Sequence, residues 1–259
     1  MKYINKGICI FCKSTKPDVT FNEKPHTMPR SLGSNSIGFD ICDNCNHYFG
    51  QPDKLSNPPL TIEVCVKEIL GLTKYLLQYQ QKSQNTRLKS IYFEFWATTG
   101  KLKVKSKYRF TRDFQKALLN QFKRGLYEMF LQEYHKETKK GLDDRFDEVR
   151  NYARYNEGDM PLYHLQSSNG IIPIHENFAS PQFTFTQTRI NDIEKFGFCT
   201  LIIFGKWFYL EVTSQAAVNR EEYLNNEAKI IGSGFVFNGL VEVKSINDID
   251  FMLRKLLGR

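Results

Sequence analysis

Apolar residues recur at helical spacing over 112–138, where Phe114, Leu118, Leu119, Phe122, Leu126, Phe130 and Leu131 share one face. The pattern predicts a long amphipathic helix, with Lys116, Lys123 and Arg124 off its core face and His135 as a charge near its C-terminus. A second helix over 61–83 is read from Ile62, Val66, Ile69, Leu70, Leu76 and Leu77, with Cys65 among them as a small buried apolar residue. A third, about 142–155, interleaves Asp143, Asp144, Asp147 and Glu148 with Arg145, Arg150 and Arg154. That alternation is expected of a solvated, ion-paired face.

Elsewhere the period shortens to two. The run I-Y-F-E-F-W, a turn near Thr98-Thr99-Gly100 and a following basic strand predict a hairpin over 90–110. Alternation puts Lys101, Lys103, Lys105, Lys107 and Arg109 on one side of that strand, about 6.6–7 Å apart. Such a stripe suits a row of phosphates, and equally a solvated edge strand whose lysines discourage aggregation. Strands are expected at 171–174, 183–188, 198–204 and 207–212, the last two joined by a tight turn at Gly205-Lys206. Cys199 falls inside a buried strand, His164 and His175 have no partner at ligand spacing, and 246–257 reads as a short amphipathic helix. Ser56-Asn57-Pro58-Pro59 is the clearest break, because adjacent prolines cannot continue a helix. The expectation is an α+β protein with a small N-terminal domain over 1–56 and a larger mixed domain over 57–259.

Charge narrows the class of partner. Lys and Arg number 36 against 28 Asp and Glu, a formal net charge of +8, which favours a polyanion. No stretch has the length and apolarity of a signal peptide or membrane helix, so a cytoplasmic protein with no membrane partner is expected. Reduced thiols are then free to hold metal. Four of the six cysteines form two Cys-x-x-Cys knuckles, Cys9/Cys12 and Cys42/Cys45. Each knuckle lets two thiolates reach one ion from a tight turn, and the pair completes the sulfur shell of a structural Zn2+.

Between and just after the knuckles lies a distinctive segment: P-H-T-M-P-R-S-L-G around His26, then Asn46, His47 and F-G after Cys45. It resembles the HNH endonucleases, ββα-metal nucleases, and among them the subgroup with a zinc-stapled core and an H-x-x-P-x-S-L-G signature. The resemblance spans about the first 55 residues. It implies a hairpin (strands near 19–27 and 39–42) followed by a helix near 45–55, with His26 as the general base that deprotonates the attacking water. It also implies Asn35 as the residue that orients His26, and Asn46, with His47 beside it, as ligand of a catalytic Mg2+ or Mn2+. Arg30 is a candidate phosphate contact. Many members carry an acidic residue just before the histidine, where this chain has Pro25. Glu23, Asp40 and Asp43 are the nearby oxygen donors. The implied function is metal-dependent hydrolysis of DNA; the alternative is a zinc-knuckle module that binds nucleic acid without cutting it. Cutting both strands with a one-site nuclease commonly takes two copies, so the reading admits a homodimer.

Overall fold

The computed structural model describes residues 3–79, 87–91, 93–96, 98–99, 101–105, 111–167, 185–232 and 237–249. After a cysteine-bearing N-terminal segment come helices α1 (Asp43–Gly50) and α2 (Ile62–Tyr79), then a three-stranded antiparallel sheet in the order β1 (Arg87–Lys89), β2 (Phe93–Trp96), β3 (Lys101–Val104). Helix α3 (Arg112–Thr138) and the short α4 (Asp147–Arg150) follow, and then β4 (Leu162–Ser167), α5 (Gln187–Phe196), β5 (Phe198–Ile203), β6 (Lys206–Glu211), α6 (Gln215–Gly232) and β7 (Phe237–Glu242). The second sheet is antiparallel in the order β5-β6-β4-β7. The class is thus α+β. No helix of the described residues is long and apolar enough to cross a membrane.

Helix α3 is the spine. The Thr111 hydroxyl caps its start by accepting from the Phe114 N–H at 3.3 Å, and left-handed Lys139 closes its end onto the His135 carbonyl. Its sequence predicts one core face, but residues 121–135 are buried on every side. Helix α2 packs so closely that a Cβ on Gly125 would collide with the Val66 side chain. The second sheet covers another side through Phe122 and Phe208, whose rings lie 5.6 Å apart, and Phe146 covers a third against Phe130.

That crowding corrects the expected exposure of three residues. Lys123 is buried against Asp159 at 2.5 Å. Arg124 is fully buried, paired with Asp53 and donating to the Tyr48 hydroxyl and the carbonyls of Tyr152 and Ala153. His135 is no surface charge: its Nε2 lies 3.0 Å from Asp40 Oδ2, and its Nδ1 accepts from the Gly141 N–H. Buried charges survive only when paired and hydrogen-bonded, as Lys123 and Arg124 are, whereas His135, with Nδ1 accepting, is a neutral imidazole that donates to Asp40.

Local pattern also fails over 142–155. The segment is a 3-10 turn, the single turn of α4 and a π-turn rather than one solvated helix. Arg150 explains why, for it is buried and donates to the carbonyls of Ile10, Gly141 and Asp143. Its guanidinium satisfies the Gly141 and Asp143 carbonyls at the start of the segment and ties the segment to Ile10.

The β5-β6 hairpin forms, but its turn falls one residue before the expected Gly205-Lys206: it is made by Phe204 (φ 50°) and Gly205 (φ 72°), the positive-φ pair of a type I′ turn, and Lys206 already pairs with Ile203 as the first residue of β6. Cys65 and Cys199 are buried, and His164 stacks on Phe208 while bonding the Trp207 carbonyl, a structural role. The strand expected at 183–188 is not formed in its described part. Thr186 instead accepts from the Arg189 N–H and starts α5, a cap that outweighs strand propensity. The strand at 171–174 and most of the 246–257 helix, like His175, Lys107 and Arg109, lie outside the described residues; Ile246–Ile249 is a 3-10 turn. One apolar core runs from Cys9 and Phe11 through Ile62 and Leu126 to Ile249, crossing the Pro58-Pro59 break.

Candidate functional site

The four knuckle cysteines come together. Their sulfurs all lie within 4.8 Å of one another, and Cys12 Sγ is 3.7 Å from Cys42 Sγ. Sulfurs at the corners of a tetrahedron with Zn–S distances of about 2.3 Å sit about 3.8 Å apart, so the cluster fits zinc. All six cysteines are free thiols. Local turns aim them inward: Lys13 takes a left-handed φ of 57°, its N–H returns to the Cys9 carbonyl, and the Cys9 N–H reaches Ser14.

His26 sits apart from this cluster on a short hairpin. It pairs antiparallel with Ile37, flanked by Thr27 N–H to Ser36 O at 3.2 Å and Gly38 N–H to Pro25 O at 2.9 Å. The ladder is confined to 25–27 and 36–38, and residues 39–42 are an irregular lead into α1 instead of the expected second strand. Left-handed Asp40 breaks it. Its carboxylate accepts from the N–H groups of Asn5, Lys6 and Gly7 and faces His135, which knots the N-terminus to α3. Helix α3 also braces both arms of the hairpin, through Thr27 to Glu133 and Lys136 to Ser36. At Gly38 the approach is so tight that a Cβ would meet Ile41 and Gln132 at 2.6 and 2.9 Å.

A cleft of about 360 Å³ opens beside His26. Asn46 of α1 lines it, as do Lys24, Arg30, Lys67 and Glu63. His26 is half-buried, and its Nδ1 is enclosed with no hydrogen-bond partner among the described residues. Burial, then the charges of Lys24 and Arg30, lower its pKa below the usual 6.5, so the ring is neutral at pH 7. Asn46 Nδ2 donates to Glu23 Oε2 at 2.9 Å, which leaves its Oδ1 without a donor among the described residues. Asn35 is exposed in the hairpin loop and makes no hydrogen bond to His26. His47 is exposed, 3.4 Å from Glu23, and is not part of the cleft wall.

Of the other oxygen donors, Asp40 is spent as described, and Asp43 accepts from the Thr20 hydroxyl and the Asn22 and Glu23 N–H groups. Glu63 is the residue that sequence reasoning missed. It lies beyond the Pro58-Pro59 break, on the first turn of α2, and nothing in local pattern ties it to His26. Burial raises its pKa.

The basic candidates divide. Arg30 is exposed on the cleft, and Lys101 and Lys103 are exposed on β3, an edge strand of its sheet as described. Lys105 is not part of an open stripe, because its Nζ donates to the Ser90 carbonyl at 2.5 Å. A second groove of about 190 Å³ shares Ser31 and Lys67 with the His26 cleft and continues past Lys74 to Ser90. Compared with known proteins, the chain matches no family model, no curated protein and no solved structure.

Proposed function

We propose that this chain is a metal-dependent endonuclease of the HNH type that hydrolyses DNA phosphodiester bonds, with His26 as general base. The observation that carries the reading is that His26 and Asn46, which the sequence resemblance pairs, line one cleft that is separate from the cysteine cluster. A neutral imidazole can take a proton from water at pH 7. The hydroxide then attacks phosphorus in line with the departing 3′ oxygen. Lys24, Arg30 and Lys67 surround the cleft with positive charge suited to a phosphate diester. The adjoining groove, with Lys67 and Lys74, gives the strand on one side of the cut somewhere to lie, and Lys101 and Lys103 extend the positive surface.

The residues present fit a hard divalent ion: an amide oxygen without a donor and a carboxylate border the same cleft as the base. Asn46 would hold Mg2+ or Mn2+ there. When bound, such an ion supplies charge for the scissile phosphate and the leaving oxygen. Zinc on Cys9, Cys12, Cys42 and Cys45 would do no chemistry; it would keep the hairpin and α1 in register.

Plasmid cleavage in Mg2+ or Mn2+ tests the reading, comparing the protein with His26→Ala at equal zinc content. Loss of general-base catalysis should slow nicking by about 10²- to 10⁴-fold. Equal cleavage by both proteins would remove His26 as the base, whereas DNA binding with no cleavage by either would turn the assignment to the non-catalytic binding module.

A further inference from the structure

We infer that Glu63 supplies the carboxylate ligand of the divalent cation, together with Asn46 Oδ1, in place of the acidic residue that Pro25 displaces; the inference rests on the cleft being a nuclease centre. The ligand would then come from outside the hairpin-and-helix segment that carries the motif, on the helix after the Pro58-Pro59 break.

Placement is the first argument. Ile62 and Val66 are buried, and both meet α3 at Gly125, so the rotation of α2 about its axis is fixed and the residue between them is held at the cleft. The second argument is electrostatic. Glu63 is half-buried and has no hydrogen bond or ion pair among the described residues. Lys67, one turn along the same helix, approaches Glu68 at 3.8 Å instead. Taking a carboxylate out of water without a partner is costly, and a bound cation removes that cost.

Elimination is the third. Asp40 and Asp43 spend their oxygens on backbone and side-chain donors, and Glu23 spends one on Asn46 Nδ2 and sets the other toward His47. Glu23 therefore acts as an orienting partner: by holding the amide nitrogen it leaves Asn46 Oδ1 as the ligand atom. Two hard oxygen donors with room for water suit Mg2+ or Mn2+ better than a thiophilic ion.

The test is Mn2+ binding to the zinc-loaded full chain, followed by electron paramagnetic resonance of the free ion. Wild type and His26→Ala should bind alike. Glu63→Gln and Asn46→Ala should weaken binding by roughly 10–100-fold or more, the loss that even an outer-sphere partner produces, and Glu63→Asp should restore part of it. Equal Mn2+ affinity in Glu63→Gln overturns the assignment. If His26→Ala still abolishes cleavage in that case, the nuclease reading survives without Glu63. Glu63-dependent Mn2+ binding with no cleavage by wild type would keep the cation site and remove the nuclease.

A second readout needs no variant. Fe2+ with ascorbate and peroxide should cut the wild-type backbone near 26, 46 and 63; cuts that spare the start of α2 would refute the assignment.

Discussion

Two places in the first third of the chain, the cysteine cluster and the cleft proposed for a divalent ion, are built in opposite ways. At the cysteine cluster the donors turn toward one another: four sulfurs within 4.8 Å, three of them on buried residues. At the His26 cleft the donors stand around a space of about 360 Å³ and leave it open to solvent and to basic side chains. A closed shell stabilises a fold, whereas an open one leaves room for a reacting molecule. On the proposed reading, the contrast separates holding a metal from using one within the first third of the chain.

The largest expected effect comes from emptying the closed site. Binding of a structural zinc is worth on the order of 10 kcal/mol. Stripping it, or Cys45→Ser, should lower the melting temperature sharply and expose amides 9–50 to hydrogen exchange. Removing the divalent ion from the open site with a mild chelator should abolish cleavage reversibly and leave melting unchanged. A zinc-free protein that melts normally would erase the distinction.

The next effect concerns what couples the two places. Asp40→Ala would leave the N–H groups of residues 5–7 and the His135 Nε2–H without their acceptor. Breaking such a buried polar centre costs about 3–5 kcal/mol, measurable by urea denaturation. Native pH dependence follows from the same pair. Burial, though opposed by Asp40, lowers the His135 pKa. Burial opposes ionisation of Asp40, but the Lys6, Gly7 and Asn5 N–H groups and His135 outweigh it and lower its pKa. In both cases the unfolded chain binds more protons than the native one. Stability should therefore fall as pH drops below 6.5, and again as it drops below 3.8 toward the depressed pKa of Asp40.

The smallest effect sharpens the open site. If neutral His26 is the base, cleavage should lose rate as pH falls, with a midpoint below 6.5. The charges and titratable groups around the cleft are Lys24, Arg30, Lys67 and Glu63. Lys24→Gln removes a positive charge, so the midpoint should move up toward 6.5 in a pH–rate profile. A midpoint indifferent to Lys24 would show that the titrating group is not His26.

What could be read from the sequence was what neighbours in the chain decide. The knuckles, the 112–138 helix and the β5-β6 hairpin each rest on spacing within a turn or a strand pair. The sequence could not show what α3 does to Lys123, Arg124 and His135, because their burial depends on the elements that surround the helix. Glu63 was hidden for the same reason: it joins His26 only because α2 packs on α3 and so returns to the hairpin. Thr186 shows a different failure, where aromatic and β-branched residues masked a cap.

Asp40 and His135, which lie in contact, are separated by 95 positions in the chain. At ribosomal rates of about 5–20 residues per second, roughly 5–20 s pass between their emergence. For that interval the cysteines are already made but α3 is not. Thiols that took up zinc in that interval would do so before the spine of the fold exists, so the supply of free zinc during synthesis, as well as the strength of the finished site, would bear on the yield of folded protein.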